Sequence, residues 1–82
     1  MNMSENLAKY KKAFMESLEI SDEKALDDLK YNDIDEWDSI GHMGLISAIE
    51  DVFEISIETN DVIDFSSFSK GKEILKKYKV EI

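Results

Sequence analysis

Three stretches of this chain place their apolar residues at helical spacing, and the chain contains no proline to interrupt them. In the first, Leu7, Tyr10, Phe14, Met15 and Leu18 follow one another at steps of 3, 4, 1 and 3. That spacing holds them on one stripe, with Lys9, Lys12, Glu16 and Glu19 mostly off it. In the second, Leu45, Ile49 and Phe53 lie four apart and are expected to point inward, helped by Ile46 and Val52. The third carries Phe68, Ile74, Leu75 and Tyr78, with Lys70, Lys72, Lys76 and Lys77 around them. Those lysines suit the negative C-terminal end of a helix.

The caps sharpen these boundaries. Ser4 is positioned to cap a first helix over residues 4–19, and Ser39 opens a second over 39–53. Thr59 or Asn60 can cap a short helix over 60–65, and Ser66 or Ser67 a last helix over 67–79. Ser21-Asp22-Glu23 starts a short helical turn running through Ala25, Leu26 and Leu29. Residues 30–37 read as an irregular loop pinned to the core by Tyr31, Ile34 and Trp37. The triplet Ile55-Ser56-Ile57 alternates like a strand, but with no similar run to pair with it is expected to be an extended linker. The predicted fold is all-α: one small antiparallel helical bundle over residues 1–82, with three long helices and one or two short ones.

Composition removes several chemistries. The absence of cysteine excludes disulfides, thiolate metal sites and cysteine nucleophiles, and a lone histidine, His42, cannot build a histidine metal cluster. No apolar run approaches the roughly 20 residues that cross a bilayer, and no signal-peptide hydrophobic stretch is visible. A monomeric cytoplasmic protein, not inserted in a membrane, is the expectation. The net charge of −9 argues against nucleic acid, whose phosphates it would repel. The placement of that charge is more specific. Ten acids and no lysine lie between Tyr31 and Phe65, whereas the rest of the chain holds nine acids and ten lysines. The excess therefore surrounds Ser39. It reads either as a solubilising surface or as a face that attracts basic partners.

Ser39, in Trp37-Asp38-Ser39-Ile40, is the candidate functional residue. As a nucleophile it would need a base within hydrogen-bond reach, and His42 is the one histidine available. No glycine-flanked nucleophile elbow or oxyanion motif accompanies it, so His42 is read instead as a solvated residue on the outer face of the second helix. The other reading has a separate enzyme modify Ser39. Free N–H groups at a helix start stabilise an attached phosphate ester. Asp38 then has two compatible readings: it caps the helix, and it helps to position the modifying enzyme.

With Leu45, Ile49, Glu50, Phe53, Ile55-Ser56-Ile57, Asp61, Phe65, Ser67-Phe68 and Ile74-Leu75 following at matching distances, Trp37-Asp38-Ser39-Ile40 resembles the acyl carrier protein family. The resemblance runs from about residue 4 to Tyr78. It implies that Ser39, with Asp38 as its motif neighbour, takes 4′-phosphopantetheine from coenzyme A through a phosphopantetheinyl transferase. The arm's thiol would carry acyl intermediates as thioesters, so the chain itself would not be an enzyme. Ile40, Met43, Ser47, Glu50 and Asp51 match the family's recognition helix and would meet acyl-processing enzymes bearing basic patches. Leu45, Ile49, Ile57, Phe65, Phe68 and Leu75 match the positions that shelter an acyl chain.

Two departures bear on which pathway is served. Gly41 and Gly44 stand where fatty-acid-synthesis members usually carry an acid, and Trp37 and His42 look more like carriers dedicated to particular pathways. Phe65 and Phe68 are bulkier than the usual aliphatics and imply a smaller pocket. The alternatives are a peptidyl or D-alanyl carrier, or an interaction module of the same fold that is never modified.

Overall fold

A computed structural model describes residues 3–82. Helix α1 covers Met3–Ser17, α2 Ser39–Phe53, α3 Thr59–Asp64 and α4 Phe68–Lys76, with a 3₁₀ turn at Glu23–Ala25 between α1 and α2. The chain is a small all-helical bundle, as the apolar spacing predicts. The linker 55–58 has no strand partner, again as expected.

The starts of α1 and α3 differ from the expected caps, whereas those of the 3₁₀ turn and α4 agree with them. Helix α1 is already under way at Met3, so Ser4 lies inside its first turn. The 3₁₀ turn is capped by Asp22, whose carboxylate accepts from the Lys24 N–H. Helix α3 begins at Thr59 and has no side-chain cap. The Glu58 N–H just before it donates instead to the Tyr78 hydroxyl at 2.9 Å, so the chain after α4 completes the start of α3. At α4 the cap is Ser67, one of the two serines expected there, its hydroxyl accepting from the Lys70 N–H.

The C-terminal ends share one device. Glu19, Glu54 and Lys79 have left-handed backbones (φ 56°, 54° and 65°). In each case the next residue's N–H closes back five positions, Ile20 to Met15, Ile55 to Glu50 and Val80 to Leu75. Glycine is the usual residue at such a position, and its absence hides these stops from a reading of the sequence. Helices α1 and α4 therefore end earlier than residues 19 and 79.

Phe14 is the hub of the core. Its ring lies 5.0 Å from Tyr10, 5.3 Å from Trp37, 4.9 Å from Phe68 and 6.0 Å from Phe65, mostly edge to face. All five rings are buried, as are Leu18, Leu26, Leu45, Ile49 and Leu75. Each such side chain contributes about 1.5–3 kcal/mol on leaving water. Val52 does not join them and stays exposed on α2. Tyr10 donates its hydroxyl to the Phe68 carbonyl at 2.6 Å, tying α1 to α4, and burial pushes its phenol well above the usual tyrosine range. Helix α1 packs directly against α2.

Residues 29–31 pair antiparallel with 66–68. The Phe68 N–H reaches the Leu29 carbonyl, the Tyr31 N–H reaches Ser66, and Lys30 and Ser67 form the bridge. This contact fastens the loop before α2 to the α3–α4 connection. Trp37 anchors its other end and Ile34 is half-buried, but Tyr31 remains partly exposed, in place of the core pin the sequence predicts.

Candidate functional site

Helix α2 starts where Asp38 holds an extended backbone and its Oδ1 accepts from the Gly41 N–H at 2.8 Å. The aspartate is thus the cap, and Ser39 is the first helical residue with its side chain exposed. A cap made by the neighbour leaves the serine hydroxyl free of that duty. The chain also approaches itself closely here. A Cβ on Gly41 would collide with the Glu36 backbone carbonyl, so the turn into α2 requires a glycine at this position. Gly44 faces open space and carries no such requirement.

His42 is not the solvated residue expected from the sequence. It is half-buried, and both ring nitrogens are engaged. Nδ1 accepts from the Trp37 indole N–H at 2.9 Å, which leaves the proton on Nε2 to be donated to the Val62 carbonyl at 2.8 Å. A ring bonded at both nitrogens braces the loop before α2 against α3. It also stacks on Trp37 and meets Tyr31 and Phe65 edge to face. Helix α3 is thereby fixed beside the N-terminal half of α2.

Between these elements lies an open cleft of about 370 Å³, lined by Tyr31, Ser39, His42, Met43, Val62, Ile63, Phe65 and Ser66. Ser39 stands at its rim, and the Tyr31 hydroxyl lies 3.4 Å from Ser39 Oγ. Large apolar side chains crowd the surface around it. Ile40 is 83 % exposed, Ile63 72 % and Met43 58 %.

The residues expected to meet partners divide. Ile40, Met43, Ser47 and Asp51 are exposed along α2. Glu50 is half-buried, and its carboxylate accepts from the Ile57 N–H at 2.8 Å. It holds the α2–α3 linker against the helix. The six expected chain-sheltering residues, Leu45, Ile49, Ile57, Phe65, Phe68 and Leu75, are all buried in the core. Of the six, Phe65 alone also lines the cleft.

Tyr31, Val62, Ile63 and Ser66 line the cleft without having been singled out for it in the sequence. Val62 and Ile63 carried a usable signal, two adjacent apolar residues between Asp61 and Asp64 on a short helix. Tyr31 and Ser66 carried none, because their places depend on pairing between distant segments.

Eight of the ten acids between Tyr31 and Phe65 are exposed, which leaves Glu50 and Asp61. Asp61 is buried, accepting from the Tyr78 hydroxyl at 2.6 Å and from Lys77 Nζ at 3.0 Å. These two hydrogen bonds hold its carboxyl below the usual aspartate range. Among the described residues, no group of three or more His, Asp or Glu side chains is placed to hold a metal ion. No helix among them is long and apolar enough to cross a membrane.

Comparison of the chain with protein-family models, with curated proteins and with solved structures gives no match.

Proposed function

We propose that this chain is an acyl carrier, with 4′-phosphopantetheine joined to Ser39 and acyl groups held on the arm's thiol. One observation carries the reading. An exposed serine opens a helix at the rim of an apolar cleft, next to an aspartate that takes over the cap and without a free base beside it. A serine so placed is open to an incoming enzyme and unable to act on its own.

The residues present fit the group. Ser39 Oγ is exposed, and the cleft beside it offers Met43, Val62 and Ile63 to an alkyl amide chain. In the transfer, Ser39 Oγ forms a bond to the phosphorus that bears the pantetheine, and the pyrophosphate P–O bond of coenzyme A breaks. The adenosine half leaves as its phosphate, and the serine proton passes to a base of the transferase. Bound there, the arm supplies a terminal thiol, the sulfur chemistry that a cysteine-free chain lacks.

Ile40, Met43 and Ile63 offer the partner an apolar surface, while Ser47, Asp51 and the exposed acids surround it. Basic transferases and acyl-processing enzymes are the partners such a face attracts. Gly41, fixed by the Glu36 carbonyl, keeps an acid out of the first turn of α2. That supports a carrier dedicated to one pathway over one serving general fatty-acid synthesis.

The test is an intact-mass comparison. Wild type and Ser39→Ala are incubated with coenzyme A and a broad-specificity phosphopantetheinyl transferase. Wild type is expected to gain one phosphopantetheine and the variant none. A wild type that gains no mass, with the transferase active on a control carrier, overturns the carrier reading. A gain that persists in Ser39→Ala overturns the site.

A further inference from the structure

We infer that Tyr31 is a positioning residue for the phosphodiester on Ser39: its hydroxyl donates to that anion and sets the direction in which the arm leaves the protein. The inference rests on the carrier reading and adds a residue and a contact to it.

The hydroxyl is already in place. It lies 3.4 Å from Ser39 Oγ, longer than a good O–H···O bond, so the unmodified serine is a weak partner for it. A phosphorus bonded to Oγ carries its unbridged oxygens next to that atom, on which negative charge makes far better acceptors. O–H···O⁻ bonds of this kind are short and about twice as strong as neutral ones.

The ring that presents the hydroxyl is held from several sides. Its backbone N–H is bonded to the Ser66 carbonyl at 2.9 Å, and the next residue, Asn32, donates to the Trp37 carbonyl at 3.0 Å. Its face and edge meet Trp37 at 6.2 Å and His42 at 5.6 Å, close to perpendicular in both cases. Those two rings are themselves joined by a hydrogen bond. An exposed tyrosine anchored this way loses little further freedom on binding an anion, which is the condition for a useful contact.

The surrounding charge makes a neutral donor valuable. Asp33, Asp35, Glu36 and Asp38 lie on the loop leading to Ser39, and no lysine occurs between Tyr31 and Phe65. His42 has no proton to offer, since its Nε2–H is bonded to Val62. A phosphodiester placed among these carboxylates gains from an uncharged donor within reach of Ser39 Oγ. Tyr31 also lines the cleft, so a phosphate drawn toward its hydroxyl starts the arm over Met43 and Ile63 and away from open solvent.

Phosphorus NMR of the modified protein tests this. Tyr31→Phe keeps the ring that packs on Trp37 and His42 and removes the donor. Both chains are loaded with phosphopantetheine, and full loading is checked by mass and an unchanged melting curve. The phosphorus resonance of Tyr31→Phe is expected to move toward that of the loaded chain unfolded in urea, with weakened cross-relaxation between ring 31 and the arm. A second measurement needs no variant: in ¹³C-tyrosine-labelled wild type, the Tyr31 Cζ resonance is expected to shift on loading. A fully loaded wild type whose Cζ does not move, or a phosphorus resonance identical in the two loaded chains, overturns the role of Tyr31 alone. A wild type that cannot be loaded overturns the carrier reading first.

Discussion

The Trp37 indole N–H donates to Nδ1 of His42 across 2.9 Å, and that bond decides where the histidine keeps its proton. The other nitrogen then donates to Val62, so one ring links the loop before α2, α2 itself and α3. His42→Phe would keep the ring and break both bonds, leaving the wholly buried Trp37 N–H without its partner. Each orphaned buried group costs about 1–3 kcal/mol. The expected result is a lower urea midpoint and faster amide exchange in α3 than in α1. A change within about 0.5 kcal/mol, the range of plain surface substitutions, would show that the brace is dispensable.

The two neighbours at the start of α2 have separable roles. Asp38→Ala removes the cap on the Gly41 N–H and should cost about 1 kcal/mol. Ser39→Ala should leave stability within about 0.5 kcal/mol, because the exposed serine is not the cap. Chemical denaturation of the two variants reads this directly. Equal losses would mean that the serine shares the capping.

The three glycines should respond differently to alanine. Gly44→Ala is expected to stabilise by up to about 1 kcal/mol, since nothing stands near the added methyl. Gly41→Ala meets the Glu36 carbonyl, and Gly71→Ala meets the Tyr10 hydroxyl and the Phe65 ring. Both are overpacked and should destabilise by about 1–3 kcal/mol. Thermal melts of the three variants check the signs.

Asp61 should give the bundle part of its acid sensitivity. Its folded carboxyl titrates below the ordinary value because Tyr78 and Lys77 bond the charged form. Its contribution is therefore complete above the unfolded aspartate value of about 3.9 and is lost as pH falls through the lower folded one. Lys77 and Tyr78 are shifted upward by the same carboxylate, so their contributions are lost only in alkali. Urea midpoints of wild type and Asp61→Asn, measured from pH 7 to pH 2, should converge toward the acid end. Parallel curves would show that the triad carries no proton linkage.

Local features of the fold were legible because their causes lie within a turn or two of chain. The α2 bounds follow from Ser39 and the four-residue step from Leu45 to Phe53. A serine cap on the last helix was legible as Ser66 or Ser67, and the structure selects Ser67, whose hydroxyl accepts from the Lys70 N–H. The ends of α1 and α4 were not legible, because Glu19 and Lys79 adopt left-handed backbones that their residue types do not advertise. Glu50 is instructive in the same way. On a helical wheel it is one more surface acid, and only the return of the linker turns its carboxylate into the acceptor for the Ile57 N–H.

By itself the sequence determined an all-helical chain, a serine at the mouth of its second helix, and ten acids around that serine without a lysine. These are properties of spacing, capping and charge count, which need no distant contact. The tertiary structure decided what the serine faces. Pairing of residues 29–31 with 66–68 brings Tyr31 to Ser39 Oγ, and His42 brings α3 beside α2 to wall the cleft. It also decided that the expected sheltering residues are packed into an aromatic core, with Phe65 alone reaching the cleft wall. Those outcomes depend on groups far apart in the chain meeting within hydrogen-bond distance, which no local pattern encodes.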